Sequence, residues 1–442
     1  MKMYEEYKDS GVKWIGEVPS HWKIAPIKRF LSGMQDGTHG TYQTVDSGYP
    51  LLSAKNVFDT GLCIEDAERK ISKDDYYSII ANGYPQKGDI ALCCVGTIGR
   101  CCIYNEDVPY AFQRSVTFLR CNEAGYNSFF LYCLKSQVAN TQYRMYEKTS
   151  AQSGIYMGVL KTLIFPIPTF IEQHHIAAYL DAKTEKIDKM IAKAEKKIEY
   201  LGELKQSLIT RAVTRGLNPN APLKDSGVKW IGKVPEHWEI MPFKYYGKLH
   251  KGLTFSKADL TATGVPVISY GQIHSKENKS VRFFEEGIRF IPRELTKNGD
   301  SALVKQGDFI FADTSEDLEG CGNCVYNDTT NPIYAGYHTI IYKTRERDCK
   351  YLAYLFRSNV WRSQIRCRVS GIKVYSITQG IMSQVNILLP PMSEQKEIST
   401  YLDIKCSKID HIVATQKKKI AYLQELKQSL ITNVVTGKIK VS

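Results

Sequence analysis

Two stretches of the chain carry apolar side chains at every seventh position, which is the pattern of a long helix that packs against another helix. The first stretch contains Leu180, Ile187, Ala194, Leu201 and Leu208, interleaved with Ile191, Ile198 and Ala212. The second contains Leu402, Ile409, Gln416, Leu423 and Leu430, interleaved with Val413, Ile420 and Val434. Each stretch is about 40 residues long, or roughly 60 Å of helix. A helix of this kind needs a partner for its apolar stripe in water, so the pattern predicts that the two helices pack on each other.

The two helical stretches are copies of one another, and so is much of the chain around them. Lys197–Thr210 returns almost unchanged as Lys419–Thr432, and Lys8–Trp22 returns as Lys224–Trp238. A repeat of about half the chain indicates a duplicated domain rather than a solenoid. An antiparallel helix pair would relate the halves by a pseudo-twofold axis, whereas a parallel pair would place both domains side by side. We expect the antiparallel pair.

Two lysines interrupt the predicted seam. Lys205 and Lys427 fall on seam positions in the two copies. Either the packing is locally wet at these lysines, or the register shifts toward Leu204 and Leu426.

The residues between the helices predict an α/β domain in each half. Short apolar or alternating runs bounded by Gly, Pro and Asp are typical of strands, and one later run in each half has helical spacing. In the first half these are the strands Tyr49–Ser53, Asp89–Val95 and Ser115–Leu119 and the helix Ser128–Tyr146. Their counterparts in the second half are Gly264–Ser269, Gly307–Ile310 and the helix Tyr351–Arg366. The residues between these landmarks differ widely, so one scaffold carries two different surfaces.

Capping signals and the repeat divide the chain. Thr169 with Glu172 predicts a capping box at the start of the first long helix, and Ser393 with Glu394 does so less strictly at the second. The tryptophan motif, Gly11–Trp22 with its copy Gly227–Trp238, is expected to dock beside a helix. The predicted segments are 1–22, an α/β domain at 23–168, a central helix at 169–215, a linker with the repeated motif at 216–238, an α/β domain at 239–391 and a C-terminal helix at 392–442.

The charge of the chain indicates that it binds a partner. The formal net charge is +13 and the pI is about 9.0, which favours a polyanionic partner, although ribosomal contact or simple solubility would give the same balance. No apolar run approaches the ~18 residues of a membrane span, and the N-terminus lacks a signal-peptide core, so we expect a cytoplasmic protein without membrane partners.

The cysteines are more typical of buried core residues than of a metal site. The chain has 12 of them, with adjacent pairs at Cys93-Cys94 and Cys101-Cys102 and a single CxxC at Cys321–Cys324. A structural zinc site needs four converging ligands, so we favour reduced, buried thiols and expect no metal.

The duplicated motifs resemble those of the specificity subunits of type I restriction-modification systems. The resemblance rests on the tryptophan motif, on Gly88-Asp89 and Gly307-Asp308, and on the prolines followed by Glu-Gln at Pro166–Gln173 and Pro390–Gln395. The helix ending in Leu-Lys-Gln-Ser-Leu-Ile-Thr, which occurs in both halves, is the last of these motifs. The resemblance implies a fold of two pseudo-symmetric α/β target-recognition domains separated by two long antiparallel coiled-coil helices.

The resemblance also implies a function and partners. Such a subunit reads a split, asymmetric sequence in double-stranded DNA and has no catalytic residues of its own. It recruits two methyltransferase subunits that modify adenine N6, and restriction subunits join the full complex. S-adenosylmethionine, ATP and magnesium are then expected on the partner subunits, with no cofactor bound by this chain.

Candidate DNA contacts are the polar and basic residues of the divergent stretches, since Arg and Gln can bond base edges and Lys mostly holds phosphates. In the first domain they are Gln35, Thr38, His39, Lys55, Arg100, Gln113, Arg114, Gln152, Ser153 and Tyr156. In the second they are Lys251, Tyr270, Gln272, Lys276, Arg362, Arg366, Arg368, Ser370 and Lys373, with His274 and His338. The basic cluster Arg362–Lys373 is the strongest of these, because like charges on a short stretch repel unless a polyanion compensates them. Any one of these residues is about equally typical of a solvated surface, and His39, His274 and His338 are each more typical of ordinary loop or core histidines.

Two other functions compete with DNA recognition. Asn331-Pro-Ile-Tyr334 is similar to the Asn-Pro-Pro-Tyr motif of adenine methyltransferases, but its third residue differs and we interpret it as a turn that leads into a strand. An autonomous nuclease or methyltransferase would also need a phosphate loop, a cofactor loop or metal ligands, and the sequence has none of these patterns. A purely structural coiled-coil protein would not need the basic balance. Lysines on the helices are typical of a solvated face, or could contact methyltransferase helices.

Overall fold

The computed structural model describes residues 3–146, 154–279, 281, 287–297, 299–345 and 349–441. The chain forms two compact units. The first comprises Met1–Glu195 and Lys417–Ser442, and the second comprises Lys196–Gln416. The end of the chain therefore belongs to the same unit as its beginning.

The first unit is built from short strands, short helices and the N-terminal part of a long helix. Its strands are β1 (Tyr7–Asp9), β2 (Glu17–Pro19), β3 (Lys23–Pro26), β4 (Leu31–Asp36), β5 (Tyr49–Leu52), β6 (Val57–Phe58), β7 (Gly61–Leu62), β8 (Lys70–Ile71), β9 (Ile90–Cys93), β10 (Cys101–Ile103), β11 (Ala111–Phe112), β12 (Val116–Cys121) and β13 (Ile164–Ile167). Its helices are α1 (Lys73–Ile80), α2 (Asn127–Lys135), α3 (Gln137–Tyr146), α4 (Met157–Leu160), the beginning of α5 (Phe170–Arg215) and the end of α11 (Met392–Val435), with 3-10 turns at Ile27–Phe30 and Ala54–Asn56.

The second unit contains a similar set of strands and helices but differs in its loops. Its strands are β14 (Leu223–Asp225), β15 (Lys233–Pro235), β16 (Glu239–Pro242), β17 (Gly247–Lys251), β18 (Val265–Ile268), β19 (Arg289–Ile291), β20 (Leu303–Val304), β21 (Phe309–Ala312), β22 (Thr314–Ser315), β23 (Cys324–Tyr326), β24 (Ile333–Ala335), β25 (Thr339–Thr344), β26 (Tyr375–Ser376) and β27 (Asn386–Leu389). Its helices are the end of α5, α6 (Phe243–Tyr246), α7 (Tyr270–Ile273), α8 (Lys350–Arg357), α9 (Asn359–Arg366), α10 (Gln379–Ser383) and most of α11 (Met392–Val435), with 3-10 turns at Lys257–Asp259, Arg293–Thr296 and Asp300–Ala302.

The sheets of the two units have matching strand orders. The first unit contains an antiparallel sheet in the order β10-β9-β12-β4, and the second contains β23-β21-β25-β17. A smaller sheet joins β11 parallel to β5, and β24 joins β18 in the same sense. The predicted α/β class and the duplication are therefore confirmed at the level of topology.

The Gly-Asp motif starts the central strand of each large sheet and has a structural role. Gly88 and Gly307 have φ angles of +94° and +91°, which L side chains rarely adopt. The Asp89 carboxylate accepts a hydrogen bond from the Gln86 amide at 2.7 Å, and Asp308 accepts one from the Lys305 amide at 2.9 Å. Each motif therefore holds the tight turn that leads into a buried strand.

The predicted helix in each half is a pair of helices rather than one. Ser136 interrupts the first between α2 and α3, and Ser358 interrupts the second between α8 and α9. Each serine has extended backbone and its hydroxyl accepts a bond from the next helix, from Ala139 at 3.4 Å or Trp361 at 3.3 Å. A side-chain cap of this kind starts a new helix, which the apolar spacing alone does not reveal.

The long helices pair antiparallel within each unit, as predicted. In the first unit Asp188 of α5 binds Lys427 of α11, and Leu180 shares a core cluster with Ile431. In the second unit Lys205 of α5 binds Asp410 of α11, and Ile209 shares a cluster with Leu402. Residue numbers therefore increase along α5 in the direction in which they decrease along α11, as in an antiparallel pair.

All the seam positions are at least partly covered. The buried ones are Leu180, Ile187, Ala194, Ala212, Leu402, Ile409, Leu423 and Val434. The half-buried ones are Ile191, Ile198, Leu201, Leu208, Val413, Gln416, Ile420 and Leu430. Leu204 and Leu426 remain 49% and 41% exposed, so the register does not shift toward them and the lysines stay on the seam.

Contacts at the helix starts differ between the copies. Glu172 and Thr169 form the predicted capping box, with bonds of 3.1 and 3.4 Å between side chain and backbone. Ser393, in contrast, lies inside the first turn of α11, because that helix begins at Met392. In both copies the glutamate also holds the tryptophan motif: Trp22 donates to Glu172 at 3.4 Å, and Trp238 donates to Glu394 at 3.1 Å. The motif docks beside a helix, as expected.

The cysteines are packing residues in this fold. Nine of the 12 are buried, Cys63, Cys121 and Cys367 being the others. Burial raises the pKa of the Cys94 thiol to about 12 and that of Cys102 to about 11. Thiols held in this form are poor nucleophiles and poor metal ligands.

Candidate nucleic-acid interface

One edge of the large sheet in each unit gathers most of the divergent loops, and we call it the loop edge. In the first unit it comprises the ends of β4 and β9 and the start of β12, since Asp36 pairs with Thr117 and Cys93 pairs with Val116. In the second unit it comprises the ends of β17 and β21 and the start of β25. Loops that leave neighbouring strands at the same edge place distant parts of the chain side by side.

The loop edge of the first unit is held by backbone hydrogen bonds. The Thr38 amide donates to the Phe112 carbonyl at 2.7 Å, and the Arg114 amide donates back to Thr38 at 3.0 Å. On the other side, the Ile155 amide donates to the Cys94 carbonyl at 2.9 Å. These bonds use no side chain, so they leave the side chains at the edge free to vary.

The second unit makes the corresponding bonds with different residues. Leu253 donates to Ala335 at 2.8 Å, as Thr38 does to Phe112, and Ile377 donates to Asp313 at 2.7 Å, as Ile155 does to Cys94. The strand registers extend this correspondence to pairs of side chains at equal positions. These pairs are Asp36 and Lys251, Cys94 and Asp313, Arg114 and Tyr337, Ser115 and His338, and Ala54 and Tyr270. The two edges therefore share a backbone but present different charge and hydrogen-bonding groups.

Most of the residues predicted for the first domain converge on this edge. Gln113 bridges to Thr38, and Lys55 follows Ala54, whose amide donates to the Ser115 hydroxyl at 3.0 Å. Those at or beside the edge are Gln35, Thr38, His39, Lys55, Gln113, Arg114 and Tyr156. Gln152 and Ser153 lie outside the described residues. The exposed members are His39, Lys55, Arg114 and Tyr156.

Several of these side chains already have intramolecular partners. Arg100 donates to the Ala54 carbonyl and its guanidinium lies 5.0 Å from the Phe58 ring centroid. Lys55 forms an ion pair with the buried Glu68 at 2.7 Å. These contacts give Arg100 and Lys55 a role in holding the loop as well as any role at the surface.

In the second domain the predicted residues separate into two groups. Lys251 is exposed at the loop edge, with Tyr270 beside it. Gln272 instead closes a capping box, because its side-chain oxygen accepts from the Ser269 amide at 3.0 Å. Lys276 is exposed in the turn after α7. His274 is also occupied, with bonds to the Thr314 carbonyl at 2.8 Å and the Asn323 amide at 3.2 Å.

The three arginines of the cluster each have a hydrogen-bond partner within the protein. Arg362 donates to the Phe356 carbonyl at 2.9 Å, Arg366 to the Glu319 carbonyl at 2.7 Å, and Arg368 to the Gln364 carbonyl at 2.5 Å. Burial lowers the pKa of Arg362 to about 10. The carbonyl oxygens orient these guanidinium groups without neutralising their charge, and DNA contact by these residues stays a prediction. Ser370 and Lys373 lie on an adjoining exposed loop that the Ser370–Ser376 bridge closes.

Two cavities flank the loop edge of the second unit. One has a volume of about 720 Å³ and is lined by polar residues that include His274, Glu316, Asp317 and Asn323. The other has a volume of about 870 Å³ and is lined by Lys251, Phe255, Asp313 and Tyr337, among others. Tyr270 and His338 line both cavities, so they form the ridge between them.

Asp313 and Tyr337 also lie at the loop edge but are not among the residues predicted from the sequence. Aligning the second domain on its Gly-Asp motif places Asp313 opposite Cys94, so a carboxylate replaces a thiol at an equal position. This difference in charge is visible in the sequence and could have identified Asp313. The proximity of Asp313 to His338 could not be predicted, because 25 residues separate them in the chain.

Other kinds of site have less support. Within the described parts of the chain, no group of three or more His, Cys, Asp or Glu side chains is arranged to hold a metal ion. None of the helices in these parts has the length and apolar content of a membrane span. Asn331-Pro-Ile-Tyr334 leads directly into β24, as the turn interpretation predicted.

Comparisons with known proteins agree with the duplicated architecture. The family model described as type I restriction modification DNA specificity domain matches residues 46–200 and again 235–423. Among curated proteins, the putative type I restriction enzyme MjaX specificity subunit of Methanocaldococcus jannaschii is 24% identical over 98% of both chains. The MjaVIII specificity subunit of the same organism is 23% identical over 64% of each chain.

A solved structure has the same overall fold. It comes from work on complex assembly and conformational transition of the type I R-M system, with a TM-score of 0.69 at 14% identity, covering 96% of this chain and 99% of that one. Since the family model matches most of both halves, the chain belongs to the family of type I restriction-modification DNA specificity subunits.

Proposed function

We propose that this chain is the sequence-reading subunit of a type I restriction-modification complex, and that each α/β domain reads one half of a split, asymmetric target in double-stranded DNA. The observation that carries the proposal is the loop edge, where the same backbone hydrogen bonds present different side chains in the two units. A shared backbone gives both domains one way of approaching a duplex, and different side chains give each its own sequence preference. The net charge of +13 suits a phosphate backbone.

The chain is proposed to recruit catalytic partners rather than to catalyse. Tyr200 and Leu204 on α5 are exposed, and so are their copies Tyr422 and Leu426 on α11. Exposed apolar residues that a duplication has kept unchanged are typical of a binding surface, and two equal surfaces suit two copies of one partner. We propose that these partners are methyltransferase subunits that bind S-adenosylmethionine, joined in the full complex by restriction subunits that use ATP and magnesium. The complex would act in the cytoplasm.

The test is to co-express the chain with its neighbouring methyltransferase subunit in a host without DNA methylation, and to map N6-methyladenine by single-molecule sequencing. The expected result is one split motif with an unspecified gap, methylated on opposite strands in its two halves. A soluble complex that leaves the genome unmethylated would contradict the proposal.

The purified chain alone provides the control. It should neither cut DNA with magnesium nor methylate DNA with S-adenosylmethionine. Either activity would instead support an autonomous enzyme.

A further inference from the structure

His338 has an unusual backbone at the loop edge of the second unit. Among the described residues it is the one non-glycine residue with a positive φ angle, +55°. Such a conformation is strained for a residue with a side chain, and it persists where the surrounding structure imposes it. Here the Asp313 amide donates to the His338 carbonyl at 3.2 Å, and the Tyr270 amide donates to the carbonyl of the preceding Tyr337 at 3.4 Å. The strained turn is therefore built into the edge.

The side chain of His338 is oriented by a carboxylate and two aromatic rings. Its Nδ1 lies 3.2 Å from Asp313 Oδ1. The Tyr270 and Tyr337 rings lie edge-on to it, at centroid distances of 5.5 and 6.0 Å. Because a carboxylate only accepts hydrogen bonds, this contact selects the tautomer with the proton on Nδ1, and in that tautomer Nε2 is an acceptor.

Nε2 of His338 is available for a ligand. The side chain is 57% exposed, and Nε2 has no hydrogen-bond partner in the described parts of the chain. His274 is a useful contrast within the same unit, because both its ring nitrogens are occupied. One histidine is therefore part of the scaffold, and the other presents an oriented acceptor on the ridge between the two cavities.

The oriented histidine belongs to the second domain alone. Its equal position in the first domain is Ser115, whose hydroxyl accepts from the Ala54 amide, and Asp313 is replaced there by Cys94. The fold of this duplicated domain therefore does not require a His-Asp pair. A strained residue with an oriented polar group, absent from the sister domain, has the properties of a residue that distinguishes ligands.

We propose that His338 is a specificity-determining residue of the second domain, with Asp313 as its positioning residue. Through Nε2 it accepts a hydrogen bond in the major groove from the exocyclic amino group of adenine or cytosine, the two bases that offer a donor there. This inference rests on the proposed function, and it assigns one base of one half-site to one ring nitrogen.

The decisive variant is His338→Gly in the intact complex with the methyltransferase subunit. Glycine adopts a φ of +55° without strain, so the variant should fold at least as well as the natural protein. Binding is measured by selection from a random duplex library and then by competition between duplexes changed one base pair at a time. The natural complex should prefer one base at the His338 position roughly 5- to 150-fold, and the variant should lose that preference and no other.

A base analogue separates contact from indirect effects. In the selected duplex, the adenine or cytosine at that position is replaced by its analogue without the amino group. The replacement should weaken binding by the natural complex and have no further effect on the His338→Gly complex. If the analogue weakened binding by the His338→Gly complex as much as binding by the natural complex, the assignment would be overturned.

Asp313→Asn tests the positioning role. The backbone bonds of residue 313 remain, but an amide can donate to Nδ1 as well as accept from it, so the ring is no longer held in one tautomer. The variant should lose discrimination at the same base pair, whereas a merely structural defect would weaken binding to every duplex. Glu123→Gln, at an exposed turn of the first domain, is the control and should leave every base preference unchanged.

Two results would overturn the proposals separately. If the natural complex selects a split sequence and His338→Gly keeps every preference in it, the role of His338 is wrong and the proposed function stands. If the natural complex selects no split sequence at all, the proposed function itself fails.

Discussion

At the residue scale, two glycines explain how one backbone can serve both loop edges. A Cβ atom on Gly37 would lie 2.2 Å from the Gln113 carbonyl oxygen, and one on Gly252 would lie 2.1 Å from the Gly336 carbonyl oxygen. Both obstacles are backbone atoms, which cannot rotate away as a side chain can. The crossing of two segments at each edge therefore requires glycine.

We expect Gly37→Ala and Gly252→Ala each to destabilise its own unit by about 2 to 3 kcal/mol, because the backbone must shift to relieve the overlap. The measurement is the urea midpoint of each unit. Gly202→Ala is the control: this glycine lies inside α5 with open space around it, so alanine should stabilise by roughly 0.5 to 1 kcal/mol. Unchanged midpoints at residues 37 and 252 would show that the close approach is not real.

A buried glutamate makes the first unit sensitive to acid. Glu68 is 3% exposed, forms an ion pair with Lys55 at 2.7 Å and accepts a hydrogen bond from Asn56 at 2.6 Å. Burial acts to raise the pKa of this carboxyl, but the bonds from Lys55 and Asn56 outweigh it and hold the pKa below its ordinary value. The folded unit thus binds this proton less readily than the unfolded chain does.

The sign of the pH dependence follows from that lowered pKa. The stability contributed by ionised Glu68 is present above the unfolded pKa of ~4.3 and is lost as the pH falls through the folded value. Between about pH 5 and pH 3 the thermal midpoint of the first unit should fall less steeply in Glu68→Gln than in the natural protein. Glu123→Gln, at an exposed turn, is the control. Parallel pH profiles for the natural protein and Glu68→Gln would rule out this carboxyl as the cause.

At the element scale, the seam of the long helices is interrupted at equal positions by an ion pair in each unit. Lys205 Nζ lies 2.6 Å from both carboxylate oxygens of Asp410, and Lys427 Nζ lies 2.7 and 2.8 Å from those of Asp188. The Lys205 side chain is only 12% exposed. A charge on an apolar seam is tolerated only where its partner is in register, so each pair disfavours helix registers that separate it.

Removing one partner should cost more than removing both. Asp410→Leu leaves Lys205 covered and unpaired, and should destabilise the second unit by about 1 to 2 kcal/mol. Adding Lys205→Met should recover most of that loss, since an apolar pair suits the seam. Glu185→Ala breaks the exposed Glu185–Lys189 pair on α5 and should cost only about 0.3 kcal/mol. A double variant no more stable than Asp410→Leu, by urea unfolding, would argue against the pairing.

At the scale of the whole molecule, the chain ends within the unit in which it began. The Gln428 side chain donates to the Lys135 carbonyl at 2.9 Å, and Thr432 Oγ1 accepts from the Gln137 amide at 3.0 Å. Ile431, Val434 and Val435 are buried in the same cluster as Trp22. The C-terminal segment thus completes the core of the first unit.

Deleting residues 417–442 should therefore destabilise the first unit and spare the second. Hydrogen exchange should become faster in α2 and α3, while β21 and β25 keep their protection, because the second unit consists of the continuous segment Lys196–Gln416. That segment expressed alone should fold. Loss of protection in β21 instead would mean that the division into units is wrong.

The contact residues show how far sequence reasoning reached at the candidate site. Charge and divergence located Arg114 and Lys251 at the loop edge. The same reasoning could not identify the Phe356 and Glu319 carbonyls that accept hydrogen bonds from Arg362 and Arg366. Formal charge is a property of the residue, whereas its availability depends on neighbours that only folding brings close.

The sequence by itself determined the duplication, the α/β class, the antiparallel seam and the family, because repetition and periodicity are properties of the order of residues along the chain. Only the tertiary structure decided which polar groups remain available. It brought Asp313 to His338 across 25 residues and Lys427 to Asp188 across 239. Such pairings depend on strand register and helix packing, which arise from the summed burial of many side chains rather than from any local pattern.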